Sequence, residues 1–336
     1  MADSVDPTVL LDDGVEGWNA WRRENRSERP DLSGIDLSDR DLTEIDFSEL
    51  DLTGADLYGA DLTRANMKMA TLEEADLSDC VMTDIDLYKA ELKGCFLTRA
   101  DLHRSYLAES NLDSVDLRGA NLASADLRGA SLRSANLSHA DLSGATLDDA
   151  KVLGSDFSHA VFSEASLFGM DYGTWRSMEG RYFAVRGLES CYGNAIFVRD
   201  AQDQDYLDTL QRSAENLPEG RARRRRLLLL RAWKLIDYGR SLAKPAALAL
   251  LLSMLFGVVY TFDQRLEWEL MDYSGSSESW LTPFYYSLVT YTTLGFGDIT
   301  PQHWLGEIIV IVEVLLGYTT LGLLLTILAN SVARRS

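Results

Sequence analysis

Cysteine and histidine are scarce in this chain, which holds 3 cysteines and 4 histidines among 336 residues. So few cysteines exclude a disulfide framework, and the histidines are too scattered to form a metal centre or a catalytic constellation. A glycine-rich nucleotide-binding loop is also missing. We therefore expect neither an enzyme nor an organic cofactor, and no nucleic-acid partner is expected.

Basic residues are also in deficit, since 32 Lys and Arg stand against 52 Asp and Glu, for a formal net charge of −20. Residues 31–172 are polar and acidic, whereas two long apolar runs dominate the chain from Leu242 onward. Met1 is followed by no charged-then-apolar signal segment, so the acidic part is expected in a reducing, cytoplasmic compartment. This split predicts two or three domains, of which one lies in a membrane.

A five-residue period runs through the acidic part. From Leu32 to Tyr172 a large apolar residue stands at every fifth position, and the residue two places earlier is usually a small one such as Ala55. Five residues fit neither the 3.6-residue period of a helix nor the two-residue period of a strand. If four pentapeptides make one square turn, stacked turns pair about 4.8 Å apart, and about 29 repeats give about seven coils. The pattern predicts a coil with a continuous apolar core.

This pattern resembles the pentapeptide-repeat family. The resemblance implies a right-handed quadrilateral parallel β-helix over residues 30–172. Residues 1–29 are predicted to form an N-terminal cap, and residues 173–220 a capping or linker region. Within that region residues 201–217 are predicted to form a polar helix. Five aromatic residues are expected to cover the open end of the coil: Trp175, Tyr182, Phe183, Tyr192 and Phe197. A disordered low-complexity segment is the alternative, which the regular apolar positions disfavour.

Four side chains within the repeats invite a functional interpretation. Cys80 and Cys95 occupy the small inward position, so we expect them to fill space and not to act in redox chemistry. His139 and His159 are one full turn apart and are predicted to stack on one face, most simply as solvated surface residues.

A basic run precedes the first apolar stretch. Residues 221–241 open with arginines and continue into leucines, which favours an interfacial helix bound to anionic lipids. Its membrane-surface residues are predicted to be Arg223, Arg224, Arg225 and Arg226. Residues 242–262 are the first predicted span, just long enough to cross a bilayer core of about 30 Å. The positive charge before this span and after the last helix places both termini in the cytoplasm, while acids from Asp263 onward make the outer mouth negative.

The motif TTLGFGD at residues 292–298 separates the two apolar stretches and resembles the potassium-channel selectivity filter. In such a filter, rings of backbone carbonyls replace the hydration shell of K⁺. Gly295 and Gly297 suit it because glycine tolerates the left-handed dihedrals that aim successive carbonyls at one axis. The resemblance implies ion binding by Thr293, Leu294, Gly295, Phe296 and Gly297, with K⁺ at the first four. One chain cannot close a ring, so a homotetramer is expected.

The segments around the motif fit the same interpretation, that of a potassium-channel pore. Residues 281–292 are predicted to form a pore helix, residues 293–298 the filter and residues 304–330 the second span, within a pore domain covering residues 242–336. The resemblance assigns filter support to Thr292, Asp298, Tyr285, Tyr286, Val289 and Glu313. An acid inside a span needs partners, and we expect Glu313 to bond to Thr290 or Thr292.

The resemblance also implies an inner gate in the second span. Its hinge and gate residues are Gly317, Gly322, Thr326, Ala329 and Asn330. Gly317 matches the family's hinge glycine, where a bend would open the gate. Close packing of this glycine against a neighbouring helix is an equally open alternative.

Together these features predict a multidomain, non-enzymatic protein. It joins a pentapeptide-repeat β-helix to an all-α transmembrane pore and acts as a homotetrameric potassium-selective channel, multi-pass in the plasma membrane, with a scaffold or regulatory coil. The alternative is a membrane-anchored interaction protein whose acidic β-helix mimics DNA or binds a protein partner. Neither the gating stimulus nor the ligand of the coil follows from the sequence.

Overall fold

A computed structural model describes residues 7–12, 14–173, 181–235, 242–266, 268–274, 279–292, 294 and 299–333. The chain divides into two compact units, Met1–Arg212 and Ser213–Ser336.

The first unit is a parallel coil with four pentapeptides in each turn. Isolated parallel bridges join residues 20 apart, from Asp31↔Asp51 to Lys151↔Asp171. The backbone N–H of Leu32 donates to the carbonyl of Asp51 at 2.9 Å, and this contact recurs along the coil. This spacing places four pentapeptides in each turn, while the square section and the right-handed sense stay predictions.

Many repeats carry an Asp or Asn at the same position, and this residue has a structural role. The Asp31 carboxylate accepts the N–H of Ser33 at 2.9 Å, and similar bonds recur at later corners. The second turn residue then takes a left-handed φ, 55° at Asp39 and 63° at Glu44. Because Asp and Asn side chains cap their own turns in this way, they favour these corners.

The interior of the coil is apolar and continuous. The large residue and the small residue of most repeats are fully buried, as Leu52 and Ala55 show. Cys80 lies inside, where its thiol donates to the carbonyl of Leu57 at 2.9 Å, and burial raises its pKa to about 12. This environment fits the expected space-filling role. On the surface, the rings of His139 and His159 stack with centroids 4.6 Å apart, as predicted.

Two short helices cover the N-terminal end of the coil, α1 (Pro7–Asp12) and α2 (Val15–Glu24). Trp18 of α2 is fully buried and packs edge-on against Phe47 with ring centroids 5.5 Å apart. Its indole N–H donates to the carbonyl of Asp46 at 2.7 Å. The open core of the first turn is thereby closed to water.

The coil continues beyond Tyr172, where the sequence pattern predicted its end. Arg181, Arg186 and Tyr192 form parallel bridges with Asp156, Val161 and Ser166. Those partners are 25 or 26 residues apart instead of 20, so additional residues interrupt the period. The regular spacing is lost at this point although the pairing is not, so the parallel pairing extends beyond the residue at which the repeats were predicted to end.

Helix α3 (Ala195–Glu215) begins where the coil ends. The sequence predicts this helix at residues 201–217, but it begins earlier, at Ala195. The Asn194 side chain accepts the N–H of Phe197 at 3.0 Å and so caps the first turn. Phe197 is fully buried against Tyr182, with ring centroids 5.3 Å apart, and closes the core. Trp175, also expected to cover this end, lies outside the described residues, and Tyr192 is exposed.

The second unit is helical. Its elements are α4 (Arg221–Leu235), α5 (Ala243–Leu266), β1 (Met271–Asp272), α6 (Thr282–Tyr291), β2 (Thr300–Pro301) and α7 (Trp304–Ala333). Both α5 and α7 are long and apolar enough to cross a membrane, and only 22% and 11% of their most apolar stretches are buried within the chain. Such exposure is unlike that of a core helix in a soluble protein.

Helix α6 packs between the two apolar helices. Gly257 of α5 lies against the ring of Phe284, and Gly317 of α7 lies against the backbone of Tyr291. Strand β1 pairs antiparallel with β2, which joins the segment before α6 to the segment after it. This arrangement fixes α6 at both of its ends.

Candidate functional site

The carboxyl end of α6 leads directly into the TTLGFGD motif. Pro283 is the second residue of the helix, where its missing N–H costs nothing. At the other end the N–H and the hydroxyl of Thr292 both bond to the carbonyl of Leu288, at 3.0 and 2.7 Å. The Leu294 N–H then donates to the carbonyl of Val289 at 2.9 Å, which turns the chain sharply. The partial negative charge at a helix carboxyl end favours a cation nearby.

Leu294 is the one predicted ion-binding residue within the described part of the chain, and its side chain is 66% exposed. Thr293, Gly295, Phe296 and Gly297 lie outside the described residues, as does Asp298 of the predicted filter support. Their carbonyl positions stay predictions.

The buried acid of α7 joins three helices. Glu313 is fully buried, and its carboxylate accepts the hydroxyl of Tyr260 from α5 at 2.6 Å. The hydroxyl of Ser287 from α6 also contacts this carboxylate, and the same hydroxyl lies 2.6 Å from the carbonyl of Ser253. A buried carboxylate is tolerated only with such partners.

The expected partners of Glu313 were wrong. The Thr292 hydroxyl bonds to Leu288 instead, and the described contacts of Glu313 do not include Thr290. Ser287 lies one helical turn before Thr290, so α7 crosses α6 further from the motif than the linear spacing suggested. Tyr260 and Ser287 were missed because the crossing register of two helices cannot be read from either helix alone.

The aromatic residues of α6 face in different directions. Tyr286 is buried and packs edge-on against Tyr260, with ring centroids 5.1 Å apart. Val289 is also buried, whereas Tyr285 is 48% exposed. Tyr285 lines an apolar cavity of about 480 Å³ between α5 and α6, together with Leu250, Met254, Trp280, Phe284 and Leu288. Within this chain, Tyr286 and Val289 are therefore buried and Tyr285 is not, and support of the filter by these three residues stays a prediction.

The first predicted hinge residue is closely packed. A Cβ on Gly317 would overlap the carbonyl of Tyr291 in the last turn of α6. Nearby, the Thr320 hydroxyl lies 3.1 Å from the hydroxyl of Tyr291. These contacts favour the close-packing alternative for Gly317.

The remaining gate residues lie further along α7. A Cβ on Gly322 would meet nothing within 4 Å, and its carbonyl accepts the Thr326 hydroxyl at 2.8 Å. Ala329 is exposed, and the side chain of Asn330 lies outside the described residues. A gate in this region stays a prediction.

The predicted membrane-surface arginines lie on α4. Arg224, Arg225 and Arg226 are exposed, whereas Arg223 is partly buried and pairs with Glu219 at 3.6 Å. Three of the four predicted arginines are therefore accessible to an external anion.

Comparison with known families covers both units. The family model described as "Ion channel" matches residues 248–334, and the model for pentapeptide repeats matches eight copies at residues 31–68, 70–104, 110–149 and 140–169. This chain joins a pentapeptide-repeat domain to an ion-channel domain. The resemblance expected from the sequence is thereby confirmed. So is the coarse fold class, a β-helix-like repeat fold followed by a helical domain with two apolar helices.

A segment of this chain is similar to part of a curated protein, "Potassium channel subfamily T member 1" of Homo sapiens. The identity is 34% over 53 residues, which are 16% of this chain and 4% of that protein. This chain thus spans only a small fraction of the length of that relative.

The pentapeptide-repeat domain has relatives among solved structures. HetL, a pentapeptide repeat protein involved in heterocyst differentiation regulation from Nostoc sp. strain PCC 7120, is 24% identical, with a TM-score of 0.28 over 53% of this chain and 97% of its own. A trypsin-treated variant of QnrB1, a plasmid-mediated fluoroquinolone resistance protein, is 18% identical, with a TM-score of 0.38 over 52% and 91%. The two domains together indicate a non-enzymatic membrane protein.

Proposed function

We propose that this protein is a homotetrameric, potassium-selective channel of the plasma membrane with both termini in the cytoplasm. K⁺ would pass through rings formed by the backbone carbonyls of residues 293–296. The observation that carries this proposal is the placement of α6, a short helix held between two apolar helices and ending immediately before TTLGFGD.

The tetramer follows from the ring that the motif has to build. One chain supplies one α6 and one motif, whereas a potassium ion needs about eight oxygens, which four chains provide in two successive rings. The exposed apolar surface of α7 is available for contacts with other copies and with lipid, since only 11% of its most apolar stretch is buried. Native mass measurement in detergent tests this, and a stable dimer or trimer as the sole species would contradict it.

Filter support is assigned to the residues behind the motif. Thr292 closes α6, Tyr286 and Val289 pack behind its last turn, and Glu313 ties α6 to α5 and α7. Tyr285 would act from the other side of α6, and Asp298 at the outer end of the motif. None of these side chains has to touch the ion.

Ion flux tests the conduction itself. The full-length protein in liposomes is expected to release K⁺ down its gradient, to exclude Na⁺ and to be blocked by Ba²⁺. Empty liposomes are the control. Equal flux of Na⁺ and K⁺ would contradict a selective filter, and no flux of either ion at any lipid composition would contradict a channel.

Helix α4 is assigned to the anionic inner leaflet. Each exposed arginine contributes about 1 kcal/mol of attraction to such a surface. Changing Arg223, Arg224, Arg225 and Arg226 to Gln is expected to remove any difference in open probability between anionic and neutral liposomes. An unchanged difference would show that α4 is only a topological anchor.

The coil is assigned a scaffold or regulatory role. Its surface carries carboxylates in register, as at Asp36, Asp56 and Asp76, which stack on successive turns. A protein partner with a basic surface would fit this column of carboxylates. Such a partner is what the alternative function, a membrane-anchored interaction protein, requires. Removing residues 1–200 separates the two roles, because a passive scaffold leaves K⁺ flux per tetramer unchanged and a regulatory coil does not.

A further inference from the structure

A second buried carboxylate lies at the end of α5, in Asp263. Asp263 is only 2% exposed. One carboxylate oxygen accepts the N–H of Leu270 at 3.0 Å, and the other accepts the N–H of Met271 at 3.2 Å and the hydroxyl of Tyr273 at 3.1 Å. From the sequence, this acid was counted among the charges of an open outer mouth, and the structure corrects that: it is buried and fully bonded.

The segment held by Asp263 reaches the residues that follow the TTLGFGD motif. Met271 pairs with Pro301 and Asp272 with Thr300 in the β1–β2 ladder. The N–H of Gln302 donates to the carbonyl of Leu270 at 3.0 Å. Strand β2 begins two residues after the end of the motif at residue 298, so few bonds separate Asp263 from the outer end of the motif.

Tyr273 also connects Asp263 to Glu313. Its hydroxyl lies 3.1 Å from the carbonyl of Tyr260, and the hydroxyl of Tyr260 bonds to Glu313. Two buried carboxylates, one at the middle of the helix bundle and one at its loop end, are thus joined through two tyrosines. Polar networks whose members are all bonded hold their surroundings in one arrangement.

We propose that Asp263 is a positioning residue for the outer end of the ion path. It holds residues 270–273, which hold β2, which fixes where the chain leaves the filter. Asp263 touches no ion and acts only through these bonds. The inference rests on the proposed function, since without conduction there is no ion path to position.

Asp263→Asn is the informative variant because it keeps the size of the side chain. The carboxylate offers acceptors to two N–H groups and a hydroxyl, whereas an amide offers one acceptor oxygen and one NH₂ group. At least one of the two backbone N–H groups is then left facing another donor. Tyr273→Phe removes only the hydroxyl from the same network.

Glu269→Gln is the matched control. Glu269 lies in the same loop and is exposed, so its substitution removes the same charge without touching the network. A purely electrostatic effect of the outer mouth on cations would affect both variants alike.

Two readouts on the full-length protein test the proposal. Hydrogen exchange at the amides of Leu270, Met271 and Gln302 is expected to be about tenfold faster in Asp263→Asn than in the parent. The K⁺ over Na⁺ permeability ratio in liposomes is expected to fall about tenfold in the same variant, and Glu269→Gln is expected to match the parent in both readouts.

The combination of exchange rate and selectivity decides whether the proposal holds. Faster exchange together with lower selectivity supports the proposal, whereas faster exchange with unchanged selectivity reduces Asp263 to a structural residue and overturns it. Unchanged exchange at Gln302 also overturns it, as does an equal loss of selectivity in Glu269→Gln.

Two controls keep the test decisive. If Asp263→Asn does not assemble, Tyr273→Phe is judged by the same criteria. If the parent itself conducts no K⁺, the proposed function has failed, and exchange at Gln302 alone then shows whether Asp263 holds β2.

Discussion

Replacing Glu313 tests how the three helices of the ion-channel domain are held together. The carboxylate accepts hydroxyls from Tyr260 of α5 and Ser287 of α6, and all three residues are buried. Glu313→Leu removes both acceptors, while Glu313→Gln keeps one acceptor oxygen and nearly the same volume. The two variants therefore separate hydrogen bonding from charge.

The structure gives the size of each effect. After Glu313→Leu, Ser287 retains the carbonyl of Ser253 as an acceptor, but the buried hydroxyl of Tyr260 has lost its acceptor. A buried hydroxyl without a partner costs about 1–3 kcal/mol in each subunit. After Glu313→Gln a charge-assisted bond becomes a neutral one, which is about half as strong, so a loss of about 1 kcal/mol is expected.

The assay combines thermal unfolding of the detergent-solubilised protein with single-channel recording. Glu307→Gln is the control, because Glu307 is an exposed acid in the first turn of the same helix. The unfolding temperature is expected to be highest in the parent, lower in Glu313→Gln and lowest in Glu313→Leu, and the conductance of Glu313→Gln is expected to be close to that of the parent. An equal loss of conductance in Glu313→Gln and Glu313→Leu would show that the charge acts on the ion path and would refute the reasoning.

Three further predictions concern the coil and the α6–α7 contact. Because burial raises the pKa of Cys80 to about 12, its thiolate fraction at pH 8 is about 10⁻⁴, and alkylation followed by mass spectrometry should be far slower in the native protein than in urea; equal rates would contradict the buried position. Hydrogen bonds from the side chain and the N–H two residues ahead lower the pKa of Asp36, so its stabilisation is present above the unfolded pKa of about 3.9 and is lost as pH falls through the folded value. The urea concentration at the unfolding midpoint should therefore decrease as the pH is lowered below about 4, and it should decrease less in Asp36→Asn. Gly317→Ala is expected to displace Tyr291 at a cost of about 1–3 kcal/mol and to lower the unfolding temperature more than Gly322→Ala; the reverse order would show that Gly317 is not a packing residue.

The coil was predictable from the sequence because the five-residue pattern within each repeat determines which of its residues point inward. Large residues at every fifth place, such as Leu52 and Leu57, point inward whatever the rest of the chain does. The last coil was not predictable, because the residues before Arg181 break the period while its pairing with Asp156 persists. A pattern with fixed spacing cannot show pairing that continues after an insertion.

The helices of the ion-channel domain were predictable for a similar reason, since length and apolar composition are local properties. Their contacts were not. Whether Glu313 meets Ser287 or Thr290 depends on the crossing register of α7 and α6, which is decided by close approaches such as that of Gly317 to Tyr291. The burial of Asp263 likewise depends on a loop folding back onto the end of α5, and no spacing in the sequence encodes it.

The central claim is that K⁺ crosses the membrane through carbonyl rings of the TTLGFGD motif. The most direct measurement is the reversal potential with K⁺ on one side of a bilayer and Na⁺ on the other, for the parent and for Gly295→Ala and Gly297→Ala. A Cβ at either position is expected to cost about 1–2 kcal/mol in each subunit, if the glycine takes the left-handed dihedral that the filter needs. The account predicts a strongly K⁺-selective potential in the parent and its loss in both variants, with the coil still folded. Variants that exclude Na⁺ as well as the parent does would contradict it.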